Sequence, residues 1–207
     1  MAVPHSLPQR IFLLAYNPDK GRVDLGTNLG AMLRAAALAD LLRGGHLTDE
    51  RGRAAIDVRH PCHDPVLGAL LEEIAGSKPH TWQSWIGHRQ RATVRATRQQ
   101  LNDGGWVHLQ PHKVLGLFPT TRVTVRDPRV RKKLLDRVNT ALRKPIGSID
   151  PADAALVAII AAADLNLVLD RKTRRANKQR IQELTKLSGP IGPALHKSIQ
   201  AAAIGEV

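Results

Sequence analysis

The sequence predicts a mainly α fold: a single compact helical domain with a central buried helix and two small β-hairpins. Three observations carry this expectation. Of 207 residues, 43% are hydrophobic but only 3% aromatic, so Leu, Ala, Val and Ile must fill the interior. Apolar segments recur at helical spacing between capping and turn residues, and Leu29 to Leu42 carries leucines on every face, as a helix enclosed on all sides does. Only His46 to Ile56 and Trp106 to Val125 read as hairpins. No repeat or low-complexity linker divides the chain, so residues 1–207 are expected to form one domain.

Taken in order, Ser6 and Pro8 precede a short opening helix over Ile11 to Tyr16. Asn17-Pro18-Asp19-Lys20-Gly21 is turn chemistry. The central helix Leu29 to Leu42 stops at Gly44-Gly45. The first hairpin follows, turning at Glu50 to Gly52. Asp64 is placed to cap a helix that starts at Pro65 and runs through Ile74. Thr81 to Ile86 is a short helical piece carrying Trp82 and Trp85, and His88 to Leu101 is a longer helix ended by Gly104-Gly105. The second hairpin turns near Leu117 to Thr121. Asp127-Pro128 opens a helix whose stripe is Val130, Leu134, Val138 and Ala141. Pro151 opens an apolar helix up to Leu169, and Arg171 to Leu187 and Pro193 to Ile204 are the last two.

Charge narrows the function classes. The 31 Lys+Arg against 18 Asp+Glu give a formal net charge of +13. Such a surface attracts polyanions: nucleic acid, an anionic membrane face or an acidic partner. Six aromatics cannot furnish many stacking platforms for single-stranded nucleic acid. The one cysteine, Cys62, excludes an internal disulfide and reads as a reducing compartment. The N-terminus does not read as a signal peptide. The longest apolar run, Ala154 to Ala163, is ten residues, against the roughly 20 of a membrane span.

The basic residues are grouped. Arg91, Arg95 and Arg98 stand at i, i+4 and i+7, which puts three guanidinium groups on one helical face. They are either a solvated face or a seat for an anion, whose oxygen pairs suit the guanidinium fork. Arg34 sits inside the most apolar helix, with Asp40 six residues away at the wrong spacing for pairing. A charge there needs a partner from elsewhere, either an internal carboxylate or an anionic headgroup. Arg129-Arg131-Lys132-Lys133-Arg137 and Arg171-Lys172-Arg174-Arg175-Lys178-Arg180 lie on amphipathic helices. They are solvated faces, or together a field worth about 1 kcal/mol per basic residue near an anionic bilayer. The second hairpin has an apolar tip, Val114 to Pro119 with Leu115, Leu117 and Phe118. It reads as a strand covering the core, or as a finger for a bilayer or a neighbouring subunit.

Signs of catalysis are weak. His60, Cys62, His63 and Asp64 have the residue types of metal ligands but lack a second ligand pair at a matching distance, so no metal is expected. No nucleophile elbow, phosphate loop or dinucleotide-binding glycine pattern is present, and the carboxylates are scattered. The expectation is a protein that is not an enzyme and takes no cofactor. A DNA-binding protein is the alternative, with Leu29 to Leu42 and the His46 to Ile56 hairpin as a winged-helix-like unit. Nucleic acid is the less favoured partner because that helix offers almost nothing but Arg34 to read a base edge.

Several segments in this order resemble the Golgi phosphoprotein 3 family, in particular its bacterial, actinobacterial-type members. They are Leu7-Pro8-Gln9-Arg10-Ile11-Phe12-Leu13-Leu14, Leu33 to Leu41, Asp64-Pro65-Val66-Leu67, Trp85-Ile86, Leu115 to Arg122, and Ala154 to Leu169. The resemblance covers about Leu7 to Ala203. It implies a mostly helical protein that binds phosphatidylinositol 4-phosphate, held peripherally on the cytoplasmic, inner face of a membrane. It also implies a headgroup pocket built from a tryptophan, an arginine of the central helix and two arginines of a later helix. Arg34 matches the first of these arginines. Arg95 and Arg91 match the later two, with a spacing of four rather than three. The tryptophan is missing, and Leu25 or a neighbour stands in its region. The hairpin of Leu115, Leu117 and Phe118 is implied in membrane insertion and self-association, so a homo-oligomer is a further expected partner. The eukaryotic members' role as adaptors for protein tails does not carry over to a bacterium without a Golgi.

Overall fold

The structure, a computed structural model, describes residues 2–23, 28–57, 61–114 and 118–205, with the backbone alone at 112–114 and 118–120. Among these residues it has ten α-helices and three two-stranded antiparallel sheets. Helix α2 (Leu29–Arg43) is the hub, packing against α1 (Leu7–Ala15), α3 (Pro65–Ala75), α4 (Trp82–Gly87), α5 (Gln90–Asp103), α7 (Pro151–Ala162) and α10 (Ile191–Gly205). Its apolar residues on all sides explain the placement: Met32, Leu33, Leu38 and Leu41 are each fully buried. Helix α7 is a second hub of the same kind, with Leu156, Val157, Ile159 and Ile160 all buried.

Helix α1 begins at Leu7, earlier than the expected Ile11. Pro8 fits its first turn, and Ser6 makes no side-chain cap. The Leu7 N–H is instead satisfied by Asp40 of α2, whose Oδ2 accepts it at 2.6 Å. A cap supplied by a distant element leaves no local signature. The Asn17 to Gly21 turn stands as expected, with Asn17 Oδ1 accepting from the N–H groups of Asp19 and Lys20. It is flanked by a third small sheet, β1 (Tyr16–Asn17) with β2 (Arg22–Val23).

The first hairpin pairs β3 (Leu47–Glu50) with β4 (Arg53–Ile56). Arg51 and Gly52 both take positive φ, 53° and 81°, as a tight two-residue reversal requires. Asp64 caps α3 by accepting from the N–H groups of Val66 and Leu67. Trp82 Nε1 donates to Asp49 at 2.6 Å, which ties α4 to this hairpin. The second hairpin pairs β5 (Val107–Val114) with β6 (Phe118–Val125). Of the expected turn at Leu117 to Thr121, Leu117 lies outside the described residues, and Phe118 to Thr121 are paired in strand β6 rather than turning. Thr120 and Thr121 are β-branched and continue a ladder more readily than they turn it.

Further helix boundaries differ from expectation. Helix α5 starts at Gln90 rather than His88, because Arg89 sits in the left-handed region with φ 44°. Helix α7 stops at Ala162, well before Leu169. Asp164 takes φ 53°, a conformation that Asp tolerates better than most side chains, and it breaks the helix. The stretch Arg171 to Leu187 is two helices, α8 (Arg171–Ala176) and α9 (Lys178–Leu187), divided at Asn177, whose side-chain amide donates to Thr173 O. Helix α6 (Arg129–Arg143) presents the expected stripe, with Val130, Leu134, Val138 and Ala141 buried.

Candidate functional site

Arg34 lies on α2 with 2% of its surface exposed. Of the two partners its sequence context allows, the structure supplies the internal carboxylate. Both terminal nitrogens donate to Glu73 Oε2 of α3 at 3.1 Å, and Nε donates to the Trp85 carbonyl of α4 at 3.0 Å. Burial lowers the Arg34 pKa, and Glu73 pulls it back up. Glu73 Oε1 lies 3.6 Å from a second guanidinium, that of Arg89. Two arginines from separate stretches thus gather on one anion, and that anion is the protein's own carboxylate.

Sequence reasoning identified Arg34 but missed Glu73 and Arg89. Glu73 stands beside Glu72 in an ordinary helical run, and nothing local marks which carboxylate turns inward. Arg89 adjoins the Arg91 to Arg98 series but belongs to the left-handed link between α4 and α5. A cavity of about 380 Å³ opens beside this centre, lined by Glu72, Glu73, His80, Trp85, His88 and Arg89 among others. Trp85 is buried in its wall, with its ring edge-on to His80 at 5.4 Å.

Helix α5 carries the other arginines. Thr93, Thr97 and Leu101 form its buried face, which leaves Arg91 and Arg95 exposed. Neither has an ion-pair or hydrogen-bond partner among the described residues. Arg98 turns inward, with its guanidinium carbon 5.9 Å from the Phe12 ring centroid. Burial lowers its pKa, and among the described residues no acidic side chain compensates and its buried Nε–H has no acceptor. Among the described residues the face thus divides into two exposed, unpaired arginines and one half-buried arginine without a counter-charge. Leu115 and Leu117 lie outside the described residues, as does Leu25, and of Phe118 only the backbone is described.

The other basic clusters split between structure and surface. Arg137 donates to Asp153 at 2.7 Å and to Asp150 at 2.9 Å, which clamps α6 to the start of α7. Arg180 of α9 donates to the Ala141 and Lys144 carbonyls and closes the end of α6. Arg131 donates to the Leu167 carbonyl, and Arg174 pairs with Asp164 and Asn166. Lys132, Arg171, Lys172, Arg175 and Lys178 remain exposed. Of the residues considered as metal ligands, His60 lies outside the described residues. Asp64 is committed to capping α3 and to accepting from the Gln100 amide at 2.6 Å.

The winged-helix reading fails on burial. Helix α2 would have to enter a DNA groove, yet its side chains from Ala31 to Leu41 are buried on all sides. Among the described residues, no helix is long and apolar enough to cross a membrane.

No curated protein matches the chain. A family model, that of Golgi phosphoprotein 3 (GPP34), matches residues 7–202 and so runs from the start of α1 into α10, taking in the three described sheets. With that span, this chain belongs to the Golgi phosphoprotein 3 (GPP34) family.

Proposed function

We propose that the protein binds peripherally to a membrane by holding an anionic phospholipid headgroup on helix α5, the headgroup being phosphatidylinositol 4-phosphate by family resemblance. The observation that carries this reading is the electrostatic state of that helix. Arg91 and Arg95 are exposed and unpaired among the described residues, and Arg98 is half-buried with no carboxylate to balance it. An anion bridging Arg91 and Arg95 relieves their mutual repulsion, and its charge also favours the neighbouring guanidinium of Arg98. The second hairpin follows α5 directly after Gly104-Gly105 and packs against it, so the basic face and the apolar hairpin are consecutive elements. The remaining basic residues add a general attraction to the bilayer.

Vesicle flotation tests this. Wild type is expected to float with phosphatidylcholine vesicles that carry phosphatidylinositol 4-phosphate and to stay behind with phosphatidylcholine alone. At about 1 kcal/mol for each arginine near the surface, Arg91→Ala/Arg95→Ala weakens binding about thirtyfold. Equal recovery of the variant and wild type overturns the assignment.

A further inference from the structure

We propose that Arg34 and Arg89 form a phosphate-type oxyanion seat that Glu73 fills from within, and that an external anion enters only by displacing this carboxylate. The inference goes beyond the headgroup reading, because the seat lies between α2 and the link from α4 to α5 rather than on the exposed face of α5, and it rests on that reading only for which anion arrives.

Glu73 contacts each guanidinium with a different oxygen, Oε2 at 3.1 Å from Arg34 and Oε1 at 3.6 Å from Arg89. A phosphate bound across two arginines engages them with separate oxygens in the same way. Burial is graded along this line: Arg34 side chain 2% exposed, Glu73 20%, Arg89 64%. The buried end therefore needs an anion at all times, because an unpaired guanidinium at 2% exposure is strongly disfavoured. The exposed end is where one anion can replace another.

Space for the exchange exists, since Glu73 and Arg89 both line the cavity of about 380 Å³. Ser77 and Ser84 also line the cavity. Glu72 on the same wall carries a like charge, so it opposes an incoming anion without touching Arg34. A purely structural ion pair has no need of a cavity on its carboxylate side or of a second, largely exposed arginine. Glu73 thereby sets a threshold: weak or singly charged anions do not displace it, and a doubly charged phosphate competes.

The test is calorimetric titration with inorganic phosphate of wild type, Glu73→Gln and Glu72→Gln. Both variants remove one negative charge from the cavity, but only Glu73→Gln removes the occupant of the seat, and Gln still offers Arg34 an acceptor. Phosphate should bind Glu73→Gln about tenfold tighter than wild type, as when one charge-assisted contact no longer competes. Glu72→Gln should gain much less, and Arg89→Ala in the Glu73→Gln background should abolish the gain. A Glu73→Gln gain no larger than that of Glu72→Gln overturns the proposal.

If Glu73→Gln does not melt cooperatively, wild type is titrated with phosphate and followed by side-chain NMR. Joint movement of the Arg34 Nε–H and Glu73 carboxyl signals supports displacement, and their immobility at saturation contradicts it. Phosphatidylcholine vesicles with and without phosphatidylinositol 4-phosphate distinguish the anion's source. A gain on both phosphate and vesicles identifies a lipid headgroup, and a gain on phosphate alone identifies a soluble phosphate. Either supports the self-filled seat. Wild type without vesicle preference counts against the membrane reading alone, and a Glu73→Gln gain no larger than that of Glu72→Gln counts against the seat alone.

Discussion

Arg34 depends on a single carboxylate, and that dependence has a measurable consequence. Removing Glu73 strands a guanidinium in the interior, so Glu73→Ala is expected to lower stability by about 3 kcal/mol, read by chemical denaturation. Asp40 is a comparable case of opposite sign. It is buried in α2, where it accepts the Leu7 N–H and pairs with Arg43 at 3.3 Å. Asp40→Ala leaves the Leu7 amide without an acceptor and should cost about 1–3 kcal/mol, whereas Asp40→Asn keeps an oxygen in place and should cost less. Burial raises the Asp40 pKa above its ordinary value, against the opposing pull of the Leu7 N–H and Arg43. The folded protein therefore binds this proton more readily than the unfolded chain does. The contribution is complete below the unfolded pKa and is lost as pH rises through the raised folded pKa. Stability curves of wild type and Asp40→Asn should diverge across that window, with the variant flatter.

Elements were legible where local chemistry and long-range packing agree. The apolar periodicity of α2 and α6, the Asp64 cap of α3 and the Arg51-Gly52 reversal are written in neighbouring residues, and the structure has them where they are expected. Boundaries set by distant groups were not legible. The start of α1 is fixed by Asp40 from another helix, the start of α5 by a left-handed Arg89, and the end of α7 by Asp164. The candidate site divides along the same line. The spacing of Arg91, Arg95 and Arg98 shows in one dimension, while the Arg34–Glu73 pair joins residues 39 apart. Contacts between elements give a further prediction at Gly30. A Cβ there would meet Gln90 Cβ at 2.6 Å, where α2 crosses the start of α5. Helix propensity favours Gly30→Ala by about 1 kcal/mol. The clash is with an atom fixed to the α5 backbone, so it should win, and the variant should lose about 1–3 kcal/mol net. A raised melting temperature would show that α5 shifts to make room.

At the scale of the whole molecule, a charge of +13 does not by itself locate a binding face. The structure narrows it, because Arg131, Arg137, Arg174 and Arg180 tie helices together, and Arg34 is neutralised within the protein. What remains among the described residues is an exposed, unpaired arginine pair on α5, Arg91 and Arg95, and exposed cations spread over α6, α8, α9, α10 and both hairpins, among them Lys197, Arg51, Arg122 and Arg126. If the headgroup contact belongs to α5, position must matter more than net charge. Flotation of two double charge reversals on phosphatidylinositol 4-phosphate vesicles separates the two: Arg91→Glu/Arg95→Glu on α5 against Lys132→Glu/Lys172→Glu on α6 and α8, equal in net charge. Loss of the α5 variant from the vesicle fraction with retention of the other is the expected result, and equal losses from both contradict a headgroup site on α5.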